Sequence, residues 1–245
     1  MKLTDKITLE YLDNIEFMKT KPDNCFSIGI TDIPYGINVG NMAFIKENKT
    51  TVKQKNGTRI NPNKNNKLKP ADWDNETPRE EWFKEFKRVT KEQIFFGVEY
   101  VDYEGLGSGR IKWNKGVPEG VSFKNYEMAY CSFIDYEKEI DYLWSGMMQG
   151  KSITNPMIQQ GNKKLNEKRI HPTQKPVLLW DLILLFCQEN GIDISSIFDS
   201  NMGLASLCLS SIKFNSSFAG CDLHKPYYDE SIKRINNHIA QQRLF

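Results

Sequence analysis

The sequence predicts an α/β protein built on a doubly wound, largely parallel sheet. Apolar runs typical of buried strands alternate along the chain with segments of helical periodicity. Polar residues follow directly after two of these strands: Asp32 after residues 26–31, and Asp199 after residues 194–198. In open α/β sheets ligands bind beyond the carboxyl ends of the strands. The sequence therefore predicts a ligand site at that edge.

Periodicity and turn residues define the elements of the first half. Pro22 and Pro34 bound the central buried strand, and Thr77 and Pro78 have the residue types that cap and open a helix. The predicted elements are a strand at 6–12, a helix at 14–19, a strand at 26–31, a helix opening at Thr77 and a strand at 93–98.

The second half repeats the alternation more clearly. Residues 177–189 form a strongly apolar helical pattern that stops near Asn190 and Gly191. The predicted elements are strands at 110–115, 126–133 and 139–144 (the last antiparallel to its neighbour), a helix at 177–189, a strand at 194–198, a helix at 204–212, a strand at 217–222 and a helix at 226–242.

Composition narrows the class of protein. Of 245 residues, 39% are hydrophobic and 26% charged, as is ordinary for a soluble domain. The longest apolar stretch, 177–187, is interrupted by Asp181 and is too short to span a bilayer. The N-terminus has no secretory pattern, and the five cysteines form no Cys-x-x-Cys pair. We expect a cytoplasmic protein of one domain (1–245) without a membrane segment or metal site.

Positive charge is concentrated in two stretches. Residues 45–69 contain seven lysines and one arginine against one glutamate, and residues 149–170 contain four lysines and one arginine against one glutamate, although the whole chain carries only +2. Two basic segments on an otherwise acidic body favour a polyanion such as nucleic acid, while solvated lysine loops stay an alternative. We expect insertions at 37–76 and 146–170, with contacts from Lys53, Lys55, Arg59, Lys64, Lys67, Lys163, Lys164 and Arg169.

The segment Asp32-Ile33-Pro34-Tyr35 suggests a receptor for a flat ring that carries an amino group. Asp32 is an acceptor, and Pro34 favours an extended Ile33 whose carbonyl is a second acceptor. Tyr35 offers a π-face. A strand that simply ends in an Asp-Pro turn is the alternative.

A second strand-and-turn unit has Asp199 and Gly203 at its turn and Asp222 at the end of the next strand. A glycine at such a turn lets a ligand approach the backbone, and an acid closing the next strand suits ribose hydroxyls. The Gly-x-Gly-x-x-Gly fingerprint is absent, which favours a nucleoside without a diphosphate.

Together these segments resemble, almost end to end, the β-class amino DNA methyltransferases, most closely their short phage and prophage members. Residues 32–35 resemble the catalytic Asp-Pro-Pro-Tyr motif, with Ile33 in place of the first proline. Residues 110–115 and 127–133 resemble the strand pair that follows the fifth strand. Residues 171–176, His-Pro-Thr-Gln-Lys-Pro, resemble the signature that opens the helix beside the cofactor pocket.

The resemblance implies a Rossmann-like methyltransferase fold with a seven-stranded sheet, one antiparallel strand and a circular permutation that places the catalytic motif first. S-adenosylmethionine is the implied cofactor. The implied catalytic residues are Asp32, Ile33, Pro34 and Tyr35, and the implied cofactor residues are His171, Pro172, Thr173, Gln174, Lys175, Phe198, Asp199, Ser200, Asn201, Met202, Gly203 and Asp222.

The implied activity is methyl transfer to the N6 amino group of a flipped-out adenine in double-stranded DNA, because Asp at position 32 is the adenine-type residue in the family. Cytosine-N4 methylation stays open. So does a catalytically inactive DNA-binding relative, because residues 199–205 read Asp-Ser-Asn-Met-Gly-Leu-Ala where the family has Asp-Pro-Phe-x-Gly-Ser-Gly.

Two protein partners also stay open. Family members are often homodimers. Residues 241–245 resemble the Gln-x-x-Leu-Phe peptide that docks on bacterial sliding clamps, although a helix end with a hydrophobic tail has the same appearance.

Overall fold

The structure is a computed structural model of the chain. It describes residues 1–38, 52–53, 57, 59–60, 74–117, 124–145, 148–171 and 173–242, with backbone only for 52–53, 59–60 and 242. The helices and strands are β1 (Ile7–Glu10), α1 (Asn14–Lys19), β2 (Phe26–Asp32), β3 (Val52–Lys53), β4 (Arg59–Ile60), α2 (Glu80–Val89), β5 (Thr90–Phe96), β6 (Arg110–Asn114), β7 (Tyr126–Cys131), β8 (Glu137–Asp141), β9 (Trp144–Ser145), β10 (Met148–Ser152), β11 (Asn155–Gln159), α3 (Val177–Glu189), β12 (Ser196–Asp199), α4 (Ser206–Lys213), β13 (Ser217–Cys221) and α5 (Lys225–Gln242).

The main sheet confirms the predicted fold class. Its strand order is β1-β13-β12-β2-β5-β7-β6-β8. All neighbouring pairs are parallel except those that β7 makes with β5 and β6. The described sheet therefore has one antiparallel strand, as the resemblance implied, but eight strands where the resemblance implied seven.

The orientation of β8 was predicted wrongly. The sequence predicted a strand antiparallel to its neighbour, whereas β8 pairs with β6 in parallel. The chain turns after β7, so β8 runs opposite to β7. Since β8 lies on the far side of β6, which is itself antiparallel to β7, β8 and β6 run in the same direction.

Helix α2 begins later than predicted. Its N-cap is Arg79, which makes no side-chain capping hydrogen bond, so Thr77 and Pro78 precede the helix. The helix then passes without a loop into β5, which begins at Thr90 where the sequence predicted residue 93. Helices α1 and α3 have the predicted bounds.

Two apolar clusters pack on the sheet. Helices α3, α4 and α5 contribute Trp180, Leu207 and Ile235 to one cluster, and α1 and α2 contribute Phe17 and Trp82 to the other. This double winding of helices is what a buried parallel sheet requires.

Close approach of α2 to the sheet depends on Gly29 in β2. A Cβ at this position would lie 2.5 Å from the Phe86 ring. Only glycine therefore lets α2 pack this closely beside the strand that ends at Asp32.

The second predicted insertion, 146–170, contributes two strands, β10 and β11, to a small antiparallel sheet whose third strand, β9, directly precedes it. Strands β11, β10 and β9 pair in that order, and a 3₁₀ turn follows at Lys163–Leu165. Of the first predicted insertion, 37–76, the structure describes mainly the antiparallel pair β3 and β4. No described helix combines the length and the apolar character needed to cross a bilayer.

Candidate active site

The candidate site lies where the direction of the chain across the sheet reverses. Strands β2 and β12 are parallel neighbours, with Ile28 opposite Ile197. From β2 the chain continues through α2 to β5 on one side, and from β12 through α4 to β13 on the other. Such a reversal opens a crevice at the carboxyl ends of the two strands. Here those ends are Asp32 and Asp199.

The two strand ends are tied together by buried polar groups. The Thr31 hydroxyl donates to Asp199 Oδ1 at 2.8 Å, and the Asn201 amide donates to the same oxygen at 3.1 Å. The Trp82 indole donates to Ser200 Oγ at 3.2 Å, and Ser200 donates to the Asn201 side chain at 2.7 Å. This network fixes the turn after β12 against β2 and α2.

A cleft of about 300 Å³ opens at this point. It brings the predicted catalytic and cofactor residues into one space. Of the predicted residues, the cleft is lined by Asp32, Ile33, Pro34, Tyr35, His171, Thr173, Gln174, Lys175, Asp199, Ser200, Asn201, Met202, Gly203 and Asp222. Phe198 instead lies in the core, stacked on Phe17 and Phe26, and Pro172 lies outside the described residues.

Asp32 sits in a cluster of charged and phenolic groups. Lys175 forms an ion pair with Asp32 Oδ1 and a second one with Glu127 at 3.0 Å. The Tyr35 hydroxyl lies 2.9 Å from Asp32 Oδ1 and 3.1 Å from Glu127 Oε2, and it accepts from Lys175 at 3.0 Å. Lys115 pairs with Glu127 from the other side at 3.1 Å. Two carboxylates thus face two ammonium groups.

The electrostatics of this cluster differ between its two acids. Burial raises the pKa of Asp32 above its ordinary value, with Lys175 opposing the rise and Glu127 adding to it. Burial also opposes ionisation of Glu127, but Lys175 and Lys115 outweigh it and lower the pKa of Glu127 to about 2. The same carboxylates outweigh burial at Lys175 and raise its pKa. Lys175 and Glu127 therefore both favour their charged forms and make an ion pair. Asp32, whose pKa is raised, favours its charged form less than Glu127 does.

Tyr35 is held by two further contacts. Its ring stacks on Tyr100 with centroids 4.6 Å apart and planes 12° from parallel. Its backbone amide donates to Asp74 at 2.6 Å, and Asp74 is only 1% exposed. Tyr35, which lines the cleft, is thus fixed in place through one face of its ring and through its backbone amide.

The opposite part of the cleft is organised around Asp222. Its carboxylate accepts from the Gly203 amide at 2.8 Å and from the His224 amide at 2.7 Å, and burial raises its pKa to about 6. Gly203 has φ +50°, a conformation that glycine adopts readily. Among the described residues no partner is found for the buried Tyr227 hydroxyl or for His224 Nδ1, and both residues line the cleft.

His171 lines this part of the cleft and is held there by contacts with Thr173 and Tyr227. Its Nδ1 accepts from the Thr173 amide at 3.2 Å, and its ring contacts Tyr227 with centroids 4.3 Å apart. Burial, with Lys175 and His224 nearby, lowers the pKa of His171 to about 3. His171 is therefore neutral at physiological pH.

Of the predicted DNA-contacting residues, those with described side chains (Lys163, Lys164 and Arg169) are not among the residues that line the cleft. Lys163 and Lys164 are exposed on the 3₁₀ turn, and the Arg169 guanidinium lies 5.0 Å from the Trp144 ring centroid. Lys53 and Arg59 are backbone partners in the β3–β4 pair. Lys55, Lys64 and Lys67 lie outside the described residues.

Several residues of the site were not predicted from the sequence: Glu127, Lys115, Asp74 and Tyr227. Glu127 could have been noticed as an acid in a strand that becomes buried towards Cys131. Asp74 had no such signal, because it lies in a polar Lys- and Asn-rich segment. Among the described residues no group of three or more His, Cys, Asp or Glu is placed to hold a metal ion.

No family model and no curated protein sequence matches this chain. Solved structures do show similarity. A complex of M1.HpyAVI with SAM is 16% identical over 93% of this chain and 99% of the other, with a TM-score of 0.48. The cytosine-N4-specific PvuII DNA methyltransferase is 11% identical over 96% and 92%, with a TM-score of 0.48. A putative DNA modification methylase from Thermus thermophilus is 12% identical over 95% of each chain, with a TM-score of 0.47.

Proposed function

We propose that this chain is an S-adenosylmethionine-dependent DNA methyltransferase acting on the N6 amino group of adenine. One observation carries the proposal: Asp32 to Tyr35 and the turn Asp199 to Gly203 line the same cleft at the ends of adjacent parallel strands. An acceptor site for an amino group and a nucleoside-type site therefore share one space of about 300 Å³.

The residues of the cleft suit the cofactor. Asp222 has lone pairs beyond the two that bind backbone amides, as ribose hydroxyl donors require. The Tyr227 hydroxyl and His224 Nδ1, which have no hydrogen-bond partner in the part of the chain that the structure describes, offer further polar contacts. Space around Gly203 is open, since a Cβ there would meet no atom of the described residues within 4 Å. Bound S-adenosylmethionine would supply a methyl group activated by positively charged sulfur.

Asp32 and its neighbours supply the rest of the chemistry. An exocyclic amino nitrogen is a weak nucleophile because its lone pair is delocalised into the ring. Hydrogen bonds from its protons to Asp32 and the Ile33 carbonyl localise that lone pair and stabilise the charge that develops during transfer. Placing the nitrogen in line with the methyl group contributes through orientation.

The target base lies inside a duplex, so it must leave the base stack at a cost of a few kcal/mol. Stacking on an aromatic side chain contributes about 1–3 kcal/mol per base, and Tyr35 is the aromatic residue of the catalytic motif that lines the cleft. Lys163 and Lys164, together with the other predicted lysines, would contact phosphates, which would make binding strongly salt-dependent.

A homodimer, and docking of residues 241–245 on a sliding clamp, remain further proposals.

Modified-base sequencing tests the proposal directly. The chain is expressed in a host without DNA methyltransferases, and its DNA is sequenced for N6-methyladenine and N4-methylcytosine. We expect N6-methyladenine in one short sequence context. Asp32→Ala should abolish it, and Asp229→Ala, an exposed acid on α5, should not.

The other outcomes separate the alternatives. N4-methylcytosine would assign the cytosine activity. Absence of both marks, with no heat of S-adenosylmethionine binding at millimolar concentration, would favour an inactive DNA-binding relative.

A further inference from the structure

Lys175 has used all of its hydrogen-bonding capacity within the protein. An ammonium group has three N–H donors. Here the three acceptors are Asp32 Oδ1, Glu127 Oε2 at 3.0 Å and the Tyr35 hydroxyl at 3.0 Å. The side chain is 4% exposed. Although the resemblance implied that Lys175 is a cofactor residue, two of its donors are directed at Asp32 and Tyr35 of the catalytic motif and the third at Glu127.

Asp32 is used asymmetrically. Oδ1 accepts from both Lys175 and Tyr35. Oδ2 has no hydrogen bond from any residue that the structure describes, and the side chain, 22% exposed, lines the cleft. One oxygen is thus held by the protein while the other is available to a ligand.

We propose that Lys175 is a positioning residue that holds Asp32 through Oδ1 and keeps it an ionised acceptor, so that Oδ2 receives the amino group of the target base. The inference rests on the proposed function. It assigns to Lys175 a role on the substrate side of the cleft.

Ionisation of Asp32 needs this support. A protonated carboxyl group carries an O–H donor and loses acceptor capacity. Burial and Glu127 both favour protonation of Asp32, and Lys175 is the cation that opposes them. The other groups that face Asp32 are the Tyr35 hydroxyl and, from β12, the Asp199 carboxyl group, which stands close enough to interact electrostatically.

Glu127 and Asp32 share Lys175 as a counterion. Glu127 also binds Lys115, so the cluster is balanced with both acids ionised. Neutralising Glu127 would leave Lys175 opposed to Asp32 alone and would remove a repulsive carboxylate. Neutralising Lys175 would do the reverse. The two substitutions therefore have opposite effects on Asp32, which a loss of structural integrity would not produce.

The experiment compares Lys175→Met, Lys175→Arg and Glu127→Gln with wild type. The single-turnover methylation rate is measured between pH 5 and pH 9 on a duplex carrying the site found by sequencing. For Lys175→Met we expect the acidic limb of the profile to move up by about one pH unit or more. For Glu127→Gln it should move down, and Lys175→Arg should restore the wild-type limb. An unshifted limb in Lys175→Met, or a shift of the same sign in Glu127→Gln, would overturn the proposal.

A second measurement does not depend on methylation. In wild type and Lys175→Met, the Asp32 carboxyl group is titrated by carbon-13 NMR and S-adenosylmethionine affinity is measured by calorimetry. We expect a higher Asp32 pKa in Lys175→Met and a Kd within threefold of wild type. A Kd raised more than tenfold would show that Lys175 contributes to cofactor binding and would contradict its assignment to the substrate side of the cleft. If wild type methylates no DNA, the proposed function fails, while the titration still decides whether Lys175 controls Asp32.

Discussion

Arg234 on α5 donates to Glu167 Oε1 at 2.5 Å, and this pair joins the two loops that border the cleft. Arg234 also donates to the Leu204 carbonyl at 2.9 Å, in the turn after β12. Glu167 in turn accepts from the Gln174 side chain at 2.7 Å and from the Val177 amide at 2.8 Å. The segment before α3 and the turn after β12 are therefore positioned by one ion pair, whose side chains are 14% and 20% exposed.

Replacing Arg234 should weaken both stability and cofactor binding. In Arg234→Met, Glu167 and the Leu204 carbonyl lose a charged donor, which should lower the free energy of unfolding by about 1.5–3 kcal/mol. Affinity for S-adenosylmethionine should also fall, because the two loops that border the cleft are no longer held together. We expect a loss on the order of tenfold, which corresponds to about 1.4 kcal/mol of binding free energy. Urea unfolding and calorimetry measure the two effects.

The matched control is the adjacent Lys233→Met. Lys233 is 70% exposed, so its replacement should change stability by less than about 0.5 kcal/mol. Equal effects of Lys233→Met and Arg234→Met would contradict the bridging role of Arg234.

Ser200 should stabilise the turn through Trp82. The resemblance predicts a proline at position 200, and a proline has no hydroxyl group to accept the Trp82 indole proton. Ser200 is 1% exposed, and Ser200→Ala leaves that buried N–H unpaired, which should cost about 1–3 kcal/mol. The same substitution in a Trp82→Phe background should cost about 1 kcal/mol less, since the donor is gone. Additive losses in chemical denaturation would show that the hydrogen bond contributes nothing.

Ala205 has a backbone conformation that favours glycine. It begins α4 with φ +53° and ψ 41°, at the position where the resemblance predicts the second glycine. A non-glycine residue in this region costs roughly 1–2 kcal/mol. In Ala205→Gly, relief of that strain offsets the lost methyl burial of about 0.8 kcal/mol and the extra chain entropy. We expect a nearly neutral change in the free energy of unfolding.

Ala129 provides the comparison. It is also fully buried, but it lies in the extended strand β7. Ala129→Gly loses the same methyl group without relief of strain, so it should be roughly 1–2 kcal/mol less stable than Ala205→Gly. Equal costs at both positions in urea titrations would count against strain at Ala205.

Local signals were enough to predict much of the fold. Helix α3 has the predicted bounds because Pro176 precedes it and Asn190 with Gly191 ends it, and these signals act within one turn of the helix. The strand ends at Asp32 and Asp199 were predicted for the same reason. That the two strand ends meet at one cleft was predicted from a general rule, namely that the carboxyl ends of parallel strands lie at the same edge of a sheet, and not from the identity of any particular residue.

Long-range pairing was not predictable in this way. Lys175 contacts Asp32 and Glu127 only because β7 lies beside β5 and the segment before α3 returns over the ends of these strands. Nothing near Lys175 in the sequence indicates two carboxylates more than forty residues away in each case. The signature at 171–176 favoured a cofactor role, and only the geometry placed Lys175 on Asp32.

Asp199 should make stability fall as pH rises. Burial raises the pKa of Asp199 to about 7, above the ordinary value of 3.8. The folded chain therefore favours the protonated acid, and this contribution is present below pH 3.8 and lost as pH rises to about 7. Asp199→Asn removes the titration, while its amide oxygen can still accept from Thr31 and Asn201. Relative to wild type, the variant should gain on the order of 2–4 kcal/mol between pH 4 and pH 8.

The measurement is urea unfolding at several pH values, taken as the difference between wild type and Asp199→Asn. The difference is needed because His171, whose pKa is lowered to about 3, makes stability rise with pH over part of the same range in both proteins. Asp193→Asn is the control. Hydrogen bonds from Ser27 and Ser195 lower the pKa of Asp193, so its titration falls below pH 3.8 and its curve should parallel wild type above about pH 4.5. Parallel curves for wild type and Asp199→Asn would mean that the buried acid does not titrate in this range.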